Sequence, residues 1–299
     1  MRVSLIDVDS KLPNLALMKI SMYHKQKGDR VGLNISDPNQ VYISCIFKKN
    51  RSQAIGISKF FTCPVHLGGY GINDNQLPKE IEHITPDYDL YNCDYSLGFT
   101  TRGCIRKCEF CIVPQKEGMI RANCDLYEFW NKKHKHIVLF DNNILALPNH
   151  FEKIASQLMD NNLTVDFNQG LDIRLVNDKN AEILSQLKIK PELRFAFDNI
   201  KIEKQVRKGI EILKSHNCKR SMFYVLVGFD STKEEDQRRL NIIKELDQRA
   251  YVMRYESCYG KRWYNDLASW ANQPQFFISM TFERFKECRS NRKLVCKGL

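Results

Sequence analysis

The first part of the chain alternates short apolar runs with polar stretches. The apolar run "RVSLIDV" predicts a strand, and "PNLALMKISMYHKQKGD" after it predicts a helix with apolar residues on one face. Pro13 suits the first turn of this helix, and Gly28 lies just past its end. Further strands are predicted at "RVGLNI", "VYISCIF" and "CPVHLGG". This β-α-β-β order predicts a Rossmann-like open sheet in residues 1–92.

From residue 93 onward, strand and helix patterns alternate through six steps. The predicted strands are "YSLGFTTRG", "HIVLFDNN", "TVDFNQGLDIRL", "ELRFAFDN", "SMFYVLVGFD" and "AYVMRYESC". Two of the helices between them carry start signals, which are Asp178 and a capping box of Ser231 with Glu234. Six such steps with short connections predict a partial (β/α)6 TIM-type barrel in residues 93–258.

The last stretch, residues 259–299, is rich in aromatic and basic residues and predicts a short helical C-terminal extension. Its aromatic side chains are expected to pack into a core, with a stacking surface for nucleic acid as the alternative. The whole chain is thus expected to have an α/β fold of two domains and this extension. The sequence has no sign of a leader and no apolar run of about 18 residues, so a cytoplasmic protein without membrane contact is expected.

The chain of 299 residues carries a formal net charge of +11. Lysine and arginine recur in "FKKNRS", "WNKKHKH", "HNCKRS" and "CRSNRK". Such a surface attracts polyanions, and a nucleic acid is therefore a candidate substrate or partner. An ordinary solvated, lysine-rich surface explains the same pattern.

Three of the 11 cysteines, Cys104, Cys108 and Cys111, fall within eight positions directly after a predicted strand. Thiolates so arranged suit a soft metal site. Structural zinc normally takes four ligands from paired C-x-x-C units. Here the next cysteine, Cys124, comes 13 residues after Cys111, beyond the expected end of the loop. An iron–sulfur cluster on three thiolates fits better and leaves one iron without a protein ligand. A structural zinc site or a group of reduced thiols is the alternative.

The motif Cys104-x3-Cys108-x-Phe110-Cys111 resembles the signature of the radical S-adenosylmethionine enzymes. The resemblance implies a [4Fe-4S] cluster whose open iron chelates S-adenosylmethionine. It also implies an electron donor such as flavodoxin or ferredoxin, whose electron cleaves the cofactor to methionine and a 5'-deoxyadenosyl radical. That radical abstracts a hydrogen atom from a substrate, for which the basic charge favours a nucleic acid or a nucleotide-derived compound.

The same resemblance implies cofactor-binding residues at the C-terminal ends of the barrel strands, where barrel active sites are built. Phe110 would contact adenine through its main chain, and the other positions follow successive strands. They are Asp141, Asn142 and Asn143 for the methionine group, Gln169, Asp172 and Arg174 for the ribose or carboxylate, Asp198 with Asn199, and Val227, Gly228 and Phe229 for adenine. Each of these residues has a simple alternative role in capping a helix or solvating a loop.

The N-terminal region resembles the cobalamin-binding domain of some radical enzymes and, more distantly, the methylthiotransferases. A cobalamin-dependent methyltransferase acting on a small molecule or peptide is therefore an alternative function, although the D-x-H-x-x-G loop is missing from the sequence. A second cluster on Cys45, Cys63 and Cys93 is a further alternative to buried thiols. From another class of protein, a non-catalytic iron–sulfur or zinc protein that binds nucleic acid fits the same residues.

Overall fold

The computed structural model describes residues 1–73 and 75–295, the last five of these by backbone alone. The described strands are β1 (Arg2–Asp7), β2 (Arg30–Leu33), β3 (Gln40–Ser44), β4 (Val65–Gly68), β5 (Ser96–Gly98), β6 (Thr101–Arg102), β7 (Arg121–Ala122), β8 (His136–Leu139), β9 (Thr164–Phe167), β10 (Lys188–Ile189), β11 (Arg194–Ala196), β12 (Met222–Val227) and β13 (Arg249–Arg254). The described α-helices are α1 (Leu15–Gln26), α2 (Arg51–Ser58), α3 (Lys79–Glu82), α4 (Val113–Lys116), α5 (Leu126–Phe129), α6 (Pro148–Asp160), α7 (Asp178–Gln186), α8 (Glu203–Ser215), α9 (Lys233–Glu245), α10 (Arg262–Ala271), α11 (Pro274–Ser279) and α12 (Phe282–Val295). Short 3-10 turns lie at Lys48–Asn50, Tyr88–Tyr91, Ile144–Ala146, Ile173–Leu175, Ile200–Ile202 and Glu256–Cys258.

This is an α/β protein with parallel sheets, so the predicted fold class is confirmed at that level. The chain forms two compact units. Unit 1 comprises Met1–Thr100 with Cys124–Val138, and unit 2 comprises Thr101–Asn123 with Leu139 onward. The domain limits drawn from the sequence, 1–92, 93–258 and 259–299, stay predictions. Within the described residues, no helix is long and apolar enough to cross a membrane.

Unit 1 contains a parallel sheet in the strand order β2-β1-β3-β4. The central strand β1 is buried on both faces, as is usual for parallel sheets. On one face Val3 and Leu5 pack against Leu17 of α1, and on the other Ile6 packs in a cluster with Ala54 of α2. The predicted β-α-β-β order of this region is therefore confirmed.

Unit 2 contains two groups of parallel strands, β10 beside β9 and β11-β12-β13 in that order. An isolated parallel bridge pairs Leu171, which follows β9, with Phe195 of β11. The two groups therefore run in the same direction at this point. Along the chain, α6 precedes β9 and α7 follows it, while α8 and α9 lie between β11, β12 and β13. Each of these four helices buries an apolar face. Because the strands are parallel, the loops that follow them emerge at one edge of each sheet.

The C-terminal helices α10 and α11 and the start of α12 surround buried aromatic side chains. Trp270 packs against Phe277 and Phe282, and all three are almost completely buried. The expectation that these aromatics form a core is therefore confirmed for the described residues. Residues 296–299 of the predicted extension lie outside the described part of the chain.

Two predicted helix starts were wrong by one residue. Helix α9 is capped by Thr232, which exchanges hydrogen bonds with Glu235 in a capping box, while the Ser231 hydroxyl donates to Asp236. Helix α7 is capped by Asn177 rather than Asp178. In both cases the capping residue has extended backbone angles, which a pattern of residue types does not show.

A completely buried ion pair ties α9 to two strand ends in unit 2. The Arg239 guanidinium is 0% exposed; it donates to Asp236 and to the backbone carbonyls of Phe197 at 2.7 Å and Leu226 at 2.9 Å. A buried charge is stable only when paired and hydrogen-bonded, as here. The pair thus fixes the ends of β11 and β12, from which the loops of the candidate site begin.

We expect Arg239→Met to lower the free energy of unfolding by about 3–5 kcal/mol, since it leaves Asp236 as an unpaired buried charge. Arg238→Met is the matched control, because that neighbouring side chain is 66% exposed and pairs with Glu203 at the surface. The control should cost about 1 kcal/mol or less, as measured by urea unfolding. Equal losses in the two variants would contradict the structural role of Arg239.

Candidate functional site

A short hairpin closes the loop that carries the three cysteines. Strands β6 and β7 pair antiparallel, with Arg102 opposite Arg121, and residues 103–120 connect them. Gly103 begins this loop with φ of +80°, and a Cβ atom there would lie 2.4 Å from the carbonyl oxygen of Met119. The backbone N–H of Cys104 donates to the carbonyl of Gly118 at 3.1 Å. The first cysteine is therefore held at the closed base of the loop.

A buried carboxylate fixes the same base. Glu117 is 8% exposed and accepts hydrogen bonds from the backbone N–H of Gly103 at 2.8 Å and from the Asn142 amide at 3.0 Å. Arg102 adds an ion pair at 3.4 Å. Hydrogen bonds of Glu117 therefore link the cysteine loop to the segment that follows β8.

The three thiols are half-buried and lie within electrostatic reach of one another. A turn brings Cys111 back toward Cys108, with its N–H donating to the Cys108 carbonyl at 3.0 Å. Burial raises the pKa of the Cys108 and Cys111 thiols, and the nearby thiol of Cys104 raises it further. Bound metal would reverse this effect, because metal ligation deprotonates thiols.

The spacing of these thiols is not that of a site for one ion. Across the described side chains, no group of three or more His, Cys, Asp or Glu residues converges on a single metal position. The effect of the thiols on one another's pKa values indicates that they lie in one neighbourhood.

The segment after β8 places one unsatisfied acceptor beside the cysteines. The Asn143 amide nitrogen lies 3.8 Å from the Cys104 sulfur, and Asn143 is only 2% exposed. Its Oδ1 atom is buried and has no hydrogen-bond partner. Such a group costs free energy unless a ligand supplies a donor. By contrast, Asp141 accepts from the backbone N–H and hydroxyl of Thr101 and serves the fold.

The segment after β9 places an ion-pair cluster next to the cysteine loop. The Asp172 carboxylate accepts two hydrogen bonds from Arg174, at 2.6 and 2.9 Å, and one from Arg106 at 2.8 Å. Burial alone would raise the pKa of Asp172, but these two guanidinium groups outweigh it and lower that pKa. Gln169, from the same segment, is exposed to solvent, and the structure does not bring it into this cluster.

An aromatic row joins the cysteine loop to the ends of β12 and β13. Phe110, 37% exposed, lies edge-on to Phe229 with ring centroids 5.4 Å apart. Phe229 in turn lies edge-on to Tyr255 at 4.9 Å. Two of the positions that the resemblance links to adenine, Phe110 and Phe229, are thus neighbours in space although they are far apart in sequence.

Gly228 has a structural reason to be glycine. Its φ is +76°, and a Cβ atom there would lie 1.8 Å from the buried sulfur of Cys258. The residue before it, Val227, is completely buried at the end of β12. Internal packing therefore suffices to explain Gly228, whatever approaches its backbone from outside.

A cavity of about 460 Å³ lies where β11 and β12 end. Its lining is polar and includes Asp198, Asn199, Asp230 and Glu235. One Asp198 oxygen accepts from the backbone N–H of Leu226 at 2.8 Å, and burial raises the pKa of this carboxyl. Asn199, not Asp198, caps the turn that follows.

Sequence reasoning missed Arg106 and Glu117. Both lie in the cysteine loop, but their partners come from the segments after β9 and β8. The only local signal was their place next to the cysteines, since a charged residue inside a metal-binding loop often has a structural partner.

Polar side chains at the carboxyl edge of the sheet in unit 1 bond to one another. Asn14 donates to the hydroxyls of Ser10 at 2.9 Å and Ser44 at 2.8 Å, and Asp7 accepts from Tyr91. The loop after β1 contains no histidine that could bind cobalt. Cobalamin binding in this unit stays a prediction.

The three cysteines of the alternative second cluster differ in burial. Cys45 is completely buried, and Cys63 and Cys93 are half-buried. Burial raises the pKa of Cys45 to about 11, and its thiol donates to Asp9. A buried, neutral thiol of this kind is typical of a core residue.

No protein-family model matches this chain, and no curated protein is significantly similar to it. The function must therefore be argued from the residues and their geometry.

We expect Gly228→Ala to destabilise unit 2 more than Gly260→Ala does. Gly260 has nearly the same φ, +77°, but open space where a Cβ atom would be, so it is the matched control. The left-handed backbone costs each variant about 1–2 kcal/mol, and the clash with Cys258 adds about 1–3 kcal/mol to Gly228→Ala. Urea unfolding measures both, and adding Cys258→Ala should recover part of the extra loss. Equal losses would contradict the packing explanation.

Proposed function

We propose that this protein is a radical S-adenosylmethionine enzyme. In this proposal unit 1 holds a Rossmann-like sheet, and the strands of unit 2 belong to a partial (β/α)6 barrel whose loops form the active site. The fold that supports this is α/β with parallel strands in both units. The finer architecture and the activity are inferences from the features described next.

The observation that carries the proposal is the cysteine loop. Its three thiols lie within eight residues of sequence, are half-buried, and stand on a loop whose ends are held by hydrogen bonds. Three thiolates suit a [4Fe-4S] cluster with one iron open to another ligand. Cys104, Cys108 and Cys111 would hold that cluster.

Polar and aromatic residues near the cysteine loop support the binding of S-adenosylmethionine. The buried Asn143 Oδ1 lacks a donor, and the amino group of a bound methionine would supply one. Arg174 carries the positive charge that a methionine carboxylate needs, although Asp172 already engages it. Phe110 and Phe229 form an apolar contact suited to an adenine ring.

A cluster held by Cys104, Cys108 and Cys111 would supply the electron for reductive cleavage of S-adenosylmethionine, and the cofactor would supply the hydrogen-abstracting chemistry. The residues of the chain position and shield these reactants. Asn143 orients the amino group, and the aromatic row from Phe110 to Tyr255 limits the access of water. A reductant such as flavodoxin or ferredoxin must deliver the electron from outside.

The net charge of the chain supports a proposal for the class of substrate. The formal net charge of +11 favours a nucleic acid or a nucleotide-derived compound, because cationic surfaces raise the local concentration of polyanions.

We expect the anaerobically reconstituted protein to bind about four irons and four sulfides per chain. With dithionite and S-adenosylmethionine it should release 5'-deoxyadenosine, measured by liquid chromatography. Alanine at Cys104, Cys108 or Cys111 should abolish both the cluster and the release, because each thiolate is one of only three ligands.

Cys124→Ala is the control, because this cysteine lies outside the Cys104–Cys111 motif and its thiol donates to the carbonyl of Phe99. It should retain the cluster and the release. A full iron complement in any of the three loop variants would contradict the ligand assignment. Stable zinc in place of iron, with nucleic-acid retention that falls steeply with salt and no 5'-deoxyadenosine, would favour a non-catalytic binding protein instead.

A further inference from the structure

An arginine lies inside the cysteine motif and is held by a residue far away in sequence. Arg106 is two residues after Cys104, and its Nε donates to the Asp172 carboxylate at 2.8 Å. The backbone N–H of the same residue donates to the Cys104 sulfur at 3.3 Å. One residue therefore contacts the first thiol through its backbone and the segment after β9 through its side chain.

The partner carboxylate is well suited to fix this position. The Asp172 side chain is only 7% exposed, and it also binds Arg174 at 2.6 Å. Its Oδ2 lies 3.5 Å from the amide nitrogen of Asn143, which in turn reaches the Cys104 sulfur. Asp172 thus connects the cysteine loop, the segment after β8 and the segment after β9.

Three thiolates near one another repel, and the loop between Cys104 and Cys111 has no regular secondary structure to resist that repulsion. Arg106 and Arg174 both donate to Asp172, and this ion-pair cluster ties the middle of the loop to the segment after β9. Outer contacts of this kind orient metal ligands and tune the metal.

We propose that the Arg106–Asp172 ion pair positions the cysteine loop for cluster binding, which makes Arg106 a positioning residue for the cluster. This inference rests on the proposed function. It also gives Asp172 a different role from the one that the resemblance implies, because both carboxylate oxygens are already engaged by guanidinium groups.

The test uses the full chain, reconstituted anaerobically with ferrous iron and sulfide, and an iron chelator that competes for the cluster. We expect Arg106→Met to lower by about 10-fold the chelator concentration that removes half the cluster, at the low end of known outer-contact effects. Arg106→Lys keeps the charge and should recover part of the loss. Asp172→Asn should resemble Arg106→Met, and the double variant should lose little more than either single variant.

Lys107→Met is the matched control. It removes one positive charge from the next position in the same loop, but Lys107 is exposed to solvent. Its chelator midpoint should remain close to that of the unmodified protein. The reduction potential of the cluster that does form, measured by redox titration with electron paramagnetic resonance, should become more negative in Arg106→Met and change less in Lys107→Met.

Circular dichroism of the iron-free proteins checks that each variant folds. If Arg106→Met does not fold, Asp172→Asn takes its place with the same expected loss. Equal midpoints for Arg106→Met and Lys107→Met, or additive losses in the double variant, would overturn the inference while leaving the cluster assignment standing. Failure of the unmodified protein to bind a cluster would instead overturn the proposed function.

Discussion

The loop of residues 103–120 has to keep three thiols close together although no bond links them. Two features make this possible. The hairpin of β6 and β7 brings the ends of the loop together, and Glu117 fixes its base through the Gly103 backbone and the Asn142 amide. The ion pair of Arg106 with Asp172 then fixes the middle. The proposed cluster at the three cysteines depends on that arrangement.

The arrangement is built from charged and amide side chains that are buried, which is stable only because they are hydrogen-bonded. Glu117, Asn143 and Asp172 are all nearly buried, and nearly every polar atom they carry is engaged within the fold. The one exception is Asn143 Oδ1, which has no donor, while the Nδ2 atom of the same amide donates to the Cys104 sulfur. A single unsatisfied atom in an otherwise satisfied network is where a ligand gains the most, because binding there removes an existing cost.

The sequence predicted helices and strands well where the spacing of apolar residues is what forms the element. Apolar periodicity predicted α1, and the strand–helix alternation predicted the parallel strands of unit 2, since burying an apolar face is what forms them. Details set by backbone angles failed. "YSLGFTTRG" was predicted as one strand but forms β5 and β6 separately.

The site was predictable only in part for a related reason. The three cysteines are close in sequence, so their grouping was visible in the motif. Arg106 and Asp172 are 66 residues apart, and no local pattern pairs them. Gly228 shows the reverse: the sequence suggested an approach by adenine, whereas the structure supplies a nearer cause in the sulfur of Cys258.

The most direct test of the central claim is Mössbauer spectroscopy of the protein reconstituted with iron-57, recorded with and without S-adenosylmethionine. If three cysteines hold the cluster and leave one iron open, addition of the cofactor should change the signal of one iron in four and leave the other three as they were. A spectrum that the cofactor does not alter, or the finding of zinc in place of iron at Cys104, Cys108 and Cys111, would contradict the account.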